Sequence, residues 1–157
     1  MKILKDILYK VSVNTIYGDT NLEISQIDFD SRAVIEGSLF VAQKGVSVDG
    51  HLFIDKAIGL GATSVICEIL PEKKQENITF IQVDDSNTSL AIIASNFYDN
   101  PSSKLKLIGV TGTNGKTTIA SLLYQLYKKA GFKVGLLSTV QILVDTIVYE
   151  STHTTPD

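Results

Sequence analysis

The sequence predicts an α/β protein in two domains, residues 1–103 and 104–157. Three observations predict it. Segments with apolar residues at helical spacing alternate with short β-rich apolar runs through the first domain. Asn100-Pro101-Ser102-Ser103 breaks that pattern and reads as a linker. Beyond it, an apolar run, a glycine-rich turn and a new helical pattern follow one another directly over residues 107–118.

Each element has its own signal. Residues 2–11 place Ile3, Leu4, Ile7, Leu8 and Val11 on one helical face. Residues 22–29 mix polar and apolar side chains as a strand does, and residues 37–42 form a second strand. Residues 45–50 read as a polar loop, and 51–60 as a helix stopped near Gly59 and Gly61. Residues 63–69 form a buried strand rich in β-formers, and a charged turn over 71–77 leads to a strand over 78–83. Residues 86–98 carry Leu90, Ile93, Ala94 and Phe97 on one face of a helix. In the second domain, Leu105, Leu107, Ile108 and Val110 suit a buried strand, and Ile119, Leu122, Leu123, Leu126 and Ala130 recur at helical spacing up to Gly131. Residues 133–138 and the Ile- and Val-rich 141–150 add strands, and the tail 151–157 is polar. One strand–helix crossover and two further strands cannot cover both faces of a parallel sheet. The second domain is therefore expected to be the start of a larger one, with apolar surface left exposed.

The turn between the strand over 107–110 and its helix has the chemistry of a phosphate cradle. Gly112 and Gly115 allow a tight turn and a close backbone approach. The N–H groups of the turn and of the helix N-terminus converge where an anion is favoured. Lys116 adds a full positive charge, and Thr117 a hydroxyl suited to a metal ion. The pattern departs from a strict Walker A motif, which wants a glycine where Val110 stands.

Composition narrows the function classes. With 44% apolar and 20% charged residues the chain can bury a core, and its net charge of −3 argues against a nucleic-acid partner held by bulk positive charge. The single cysteine, Cys67, lies in an apolar run and reads as an inert buried thiol. No apolar run approaches membrane-spanning length and no signal-peptide pattern opens the chain, so a cytoplasmic protein without membrane contact is expected.

Gly109-Val110-Thr111-Gly112-Thr113-Asn114-Gly115-Lys116-Thr117-Thr118 resembles the nucleotide loop of the Mur ligases and their folylpolyglutamate synthetase relatives, whose glycine spacing shows the same shift. These ATP-dependent enzymes join an amine to a carboxylate. The resemblance implies ATP and Mg²⁺ as cofactors. Gly112, Thr113, Asn114, Gly115, Lys116, Thr117 and Thr118 would hold the phosphates. Lys116 would be the catalytic residue meeting the β- and γ-phosphates, and Thr117 would offer its hydroxyl to Mg²⁺.

The first domain resembles that of the MurE and MurF enzymes, which holds the UDP end of a nucleotide-sugar substrate. Asp30-Ser31-Arg32, Gly37 to Ala42, and Gly45 through Asp49-Gly50-His51 carry the likeness. It implies substrate contacts at Phe29, Ser31, Val46, Ser47 and Val48. Phe29 and Phe40 are both candidates for the apolar wall, and Ser31 can bond a uracil edge or a phosphate, or serve as a turn residue. His51 reads as an ordering residue at a helix start.

His153-Thr154-Thr155-Pro156-Asp157 resembles the MurE segment whose threonines bind the muramoyl dipeptide, which adds His153, Thr154 and Thr155 as substrate contacts. A disordered Thr-rich end is the other reading of that tail. The resemblance thus implies a UDP-binding α/β domain followed by the truncated start of a P-loop Mur ligase central domain. A diamino acid, meso-diaminopimelate or L-lysine, would be ligated through an acyl phosphate to the D-glutamate γ-carboxylate of UDP-MurNAc-L-Ala-D-Glu. The diamino acid site would lie outside this chain, which alone is expected to be inactive. The full-length enzyme is expected to be a monomer. A MurF-type ligase and a non-catalytic UDP-sugar-binding module remain the alternatives.

Overall fold

Short runs of β-branched and aromatic residues assemble the first unit, Met1–Lys106, around one five-stranded sheet. The computed structural model describes residues 1–45 and 48–150. The chain enters through β1 (Lys2–Ile3), α1 (Leu4–Ile7) and β2 (Val13–Tyr17). Then come β3 (Glu23–Ile24), β4 (Gln26–Asp28) and β5 (Ser38–Val41). A 3-10 turn at Gly50–Phe53 leads into α2 (Ile54–Gly59), β6 (Ala62–Cys67), β7 (Thr79–Val83) and α3 (Ser86–Phe97). The sheet order is β2-β7-β6-β5-β4. The last four strands in that order are parallel, and β2 runs antiparallel to β7 on the edge.

The period of two along each strand divides the core between the two faces. Leu39, Val41, Ile66, Ile81 and Val83 pack with Leu4 and Ile7 of α1 and Ile93 of α3. Phe40, Val65, Cys67 and Phe80 pack with Ile54 and Ala57 of α2. Strands covered on both faces read as near-continuous apolar runs, which is why β5, β6 and β7 were readable from sequence.

Several elements differ from expectation. The helix expected over 2–11 is only α1, because Lys2 and Ile3 pair with Ile24 and Glu23 and Lys10 turns into a left-handed conformation at φ 63°. The strand expected over 22–29 is two short strands with different partners. They part at Ser25, whose N–H and hydroxyl donate to Gly37 O and Glu36 O. The edge strand β2 was not anticipated.

In the second unit, Leu107–Asp157, α4 (Lys116–Lys129) is followed by the antiparallel sheet β10-β9-β8. Its strands are β8 (Gly135–Leu137), β9 (Gln141–Val144) and β10 (Ile147–Glu150). The expected single strand over 141–150 is a hairpin, turned at Asp145, which takes φ 55°. Residues 107–110 are not a strand: Leu107 and Ile108 are exposed, and no described strand lies alongside to complete a ladder. On α4, Ala120, Leu123, Tyr124 and Tyr127 are half-buried, whereas Ile119, Leu122 and Leu126 of the expected apolar face are exposed. Among the described residues of this unit, only Leu136 is a buried apolar side chain. No helix among the described residues is long and apolar enough to cross a membrane.

Candidate functional site

Two helix N-termini in this chain have opposite electrostatics, and the contrast decides which can take an anion. At α3 the chain's own carboxylates fill the position. Asp85 Oδ1 accepts from the N–H groups of Asn87 and Thr88 at 2.9 and 3.1 Å. Glu68 Oε1 accepts from Ser86 N at 3.0 Å and Ser86 Oγ at 2.8 Å. The Thr88 hydroxyl, then its N–H, holds the Asp85 carboxyl below its usual range.

At α4 no acidic residue stands in the first turn and no side chain caps the end. Gly115 is the capping residue at φ 78°, and Gly112 lies at φ 149°. A Cβ on Gly115 would meet nothing closer than 4.0 Å. The glycine is needed for backbone conformation rather than for space. Among the described residues, the N–H groups of Thr113, Asn114 and Gly115 donate no hydrogen bond. The first N–H groups of any helix have no intrahelical acceptor either. Lys116 Nζ donates to Gly112 O at 2.6 Å and Thr113 O at 3.3 Å, so the ammonium lies over the loop it follows. Thr113, Asn114, Lys116 and Thr118 are exposed and Thr117 is half-buried. Unpaired donors, a positive helix end and a lysine suit the phosphates of a nucleotide. For a metal ion the unit supplies the Thr117 hydroxyl, and no group of three His, Cys, Asp or Glu side chains that could hold one occurs among the described residues.

In the first unit, β4 and β5 are adjacent and parallel, with Asp28 opposite Phe40. The loops that follow them therefore leave the same edge of the sheet, where α/β folds place ligands. The first carries Phe29, half-exposed, and Ser31, buried to 6% exposure. Among the described residues the Ser31 hydroxyl makes no hydrogen bond. Asp30 and Arg32 are engaged with each other: Arg32 N, Nε and Nη2 reach the Asp30 carboxylate at 2.9, 2.9 and 2.7 Å. The Arg32 side chain, then its N–H, pulls the exposed Asp30 carboxyl down to about 2.

The second loop carries Val48, which is exposed and accepts from Gly45 N at 3.1 Å. Lys44 and Asp49 bridge across its base, and Gly50 N donates to Gln43 O at 2.7 Å. Val46, Ser47, His153, Thr154 and Thr155 lie outside the described residues. Phe40 cannot be an apolar wall for a ligand, since it is wholly buried against Val34, Ile54 and Phe80. Sequence reasoning missed the parts that shape this edge. Gln43 Nε2 donates to Asn87 Oδ1 at 2.7 Å, and His51 Nε2 accepts from Glu68 N at 2.9 Å. Both depend on partners distant in sequence and carry no local signal.

Two family models match the chain. A family model described as "Mur ligase family, catalytic domain" matches residues 23–98, and one described as "Mur ligase middle domain" matches residues 110–157. A curated relative from Cytophaga hutchinsonii is named UDP-N-acetylmuramoyl-L-alanyl-D-glutamate--2,6-diaminopimelate ligase. It is 56% identical over 155 residues, which are 98% of this chain and 32% of the relative. The chain thus spans about a third of that relative's length. A solved structure of a UDP-N-acetylmuramoyl-L-alanyl-D-glutamate--2,6-diaminopimelate ligase shares the fold over 99% of this chain and 31% of its own, with a TM-score of 0.71 at 22% identity. The MurF ligase of Thermotoga maritima in complex with ADP matches 66% of this chain and 23% of its own, with a TM-score of 0.52 at 36% identity.

Proposed function

The chain belongs to the Mur ligase family, and on that premise we propose that it forms the nucleotide-sugar domain and phosphate loop of a MurE-type ligase. The reaction is the ATP-dependent ligation of a diamino acid to the D-glutamate γ-carboxylate of UDP-MurNAc-L-Ala-D-Glu, a step of peptidoglycan precursor synthesis. A relative of that name at 56% identity supports the substrate class. ADP in the related MurF structure supports ATP as the nucleotide. The proposed setting is the cytoplasm, with a monomeric enzyme.

The observation that carries the reading is the bare N-terminus of α4 beside Lys116, in a chain whose other long helix is blocked by Asp85 and Glu68. Gly112, Thr113, Asn114 and Gly115 would hold phosphate oxygens through N–H groups, joined by the first N–H groups of Lys116, Thr117 and Thr118. Lys116 would leave the carbonyls of Gly112 and Thr113 for the β- and γ-phosphates. There its charge opposes the charge that builds up as the phosphoryl group moves. Mg²⁺, when bound, would screen the phosphates, with Thr117 giving it one oxygen ligand. His153, Thr154 and Thr155 are assigned to the acceptor dipeptide by resemblance alone.

At the edge of the first unit, Phe29, Ser31 and the loop carrying Val46, Ser47 and Val48 would take the UDP end. The test is titration of UDP-MurNAc-L-Ala-D-Glu into this chain and its Ser31→Ala variant without ATP. One lost hydroxyl contact should weaken binding by about 0.5–3 kcal/mol, depending on whether its partner is charged. ATP affinity should change little. Equal affinity of both proteins for the nucleotide sugar would show Ser31 to be only a turn residue.

A further inference from the structure

His51 is used at both ring nitrogens, and its contacts join segments that share no regular secondary structure. The N–H groups of Glu68 and Ile69, just past the end of β6, point at Nε2 from 2.9 and 3.2 Å. A backbone amide can only donate, so Nε2 is an acceptor and the proton of the neutral ring sits on Nδ1. Nδ1 donates to Asp49 Oδ1 at 2.6 Å. The same oxygen accepts from His51 N at 3.0 Å, which closes a small ring around the residue.

Asp49 in turn bridges to Lys44 across the loop base, and Gly50 N holds Gln43 O. The imidazole thus ties both arms of the loop after β5 to the strand end beside it. It does so from a mostly buried position, with 12% of its side chain exposed. The Glu68 carboxylate is turned away to Ser86, so it does not compete for the ring.

We propose that His51, acting through Asp49, is a positioning residue that holds Val48 and its loop base at the carboxyl edge of β5, where the uracil end of the nucleotide sugar binds. The proposal rests on the reading of that loop as a uracil contact. Geometry makes the ring specific: it must accept two amides on one side while donating to a carboxylate on the other. A glutamine can place a carbonyl oxygen near Nε2 but cannot also reach Asp49. It should therefore restore half of the link.

The experiment compares the wild-type chain with His51→Ala and His51→Gln by three readouts. Long-range ¹H–¹⁵N spectra give the ring tautomer, amide exchange reports on Glu68, Ile69 and Gly50, and titrations measure UDP and, as a control, ATP affinity. The expected wild-type ring carries its proton on Nδ1. His51→Ala should speed exchange at these amides and weaken UDP binding about tenfold, as loss of charge-assisted and amide hydrogen bonds implies. ATP affinity should stay unchanged. His51→Gln should recover protection at Glu68 and Ile69 with only partial recovery of UDP affinity. A proton on Nε2, or unchanged exchange in His51→Ala, overturns the clamp itself. Normal UDP affinity in His51→Ala overturns its role in positioning. Failure of the wild type to bind UDP, with the tautomer and exchange as expected, overturns the uracil-site reading and the proposal that rests on it.

Discussion

Gly50→Ala places one methyl group where the loop after β5 closes on the strand. Its Cβ would lie 2.6 Å from Gln43 O, 2.8 Å from Gln43 N and 3.1 Å from the Ala42 carbonyl carbon. All three are backbone atoms, so no side-chain rotation relieves the clash, and relief requires the loop to move by most of an ångström. Gly50 N also donates to Gln43 O at 2.7 Å, so the movement stretches that bond. Overpacking of this kind costs about 1–3 kcal/mol, and a weakened hydrogen bond up to about 1 more. The expected loss is about 2–3 kcal/mol, together with weaker UDP binding, since Val48 and Asp49 move with Gly50.

Cys67 offers an assay confined to the first unit. It is the only cysteine in the chain and is fully buried there. Its reaction with a thiol reagent across a urea series therefore reports unfolding of this unit alone. Gly59→Ala is the control: nothing lies within 4 Å of its Cβ, and alanine in a helix should be neutral or stabilising by about 0.5–1 kcal/mol. A Gly50→Ala chain as stable as the wild type would refute the packing argument.

Two further outcomes are expected. Lys116→Ala should weaken ATP binding by ~10–100-fold, the scale of a charge-assisted contact to phosphate, while UDP affinity is unchanged; fluorescent-ATP titration measures it, and undiminished affinity would remove Lys116 from the site. Burial pushes the Cys67 thiol up to about 11 from an ordinary 9.0. Stability from this group is therefore complete below pH 9 and declines as pH rises toward 11, and native labelling at pH 8 should follow unfolding. Rapid labelling of folded chain would contradict the buried position.

What the sequence made legible was chemistry carried by neighbours in the chain. Gly112, Gly115 and Lys116 announce a turn and a charged helix start by themselves, and α4 begins at Lys116 as read. The apolar runs of β5, β6 and β7 are legible because both faces are covered. The edge strand β2 was illegible because Ile16 and Tyr17 stay exposed, which blurs its alternation. Residues 107–110 have the composition of a strand, but a strand also needs a ladder partner, which composition does not supply. Phe29 and Phe40 look alike in sequence, and only the fold puts one at the rim and the other in the core. The link at His51 was hidden for a similar reason: its acceptor nitrogen meets backbone amides, which leave no residue-type signature.

In the proposed function the first unit binds the nucleotide sugar at the carboxyl edge of β4 and β5. Amide ¹H–¹⁵N spectra of this chain, titrated with UDP-MurNAc-L-Ala-D-Glu, locate that binding residue by residue. The largest shifts are expected at Phe29, Ser31, Val48, Asp49 and Gly50, with residues 112–118 responding to ATP instead. Shifts confined to residues 112–118, or no saturable response at the β4 and β5 loops, would contradict it.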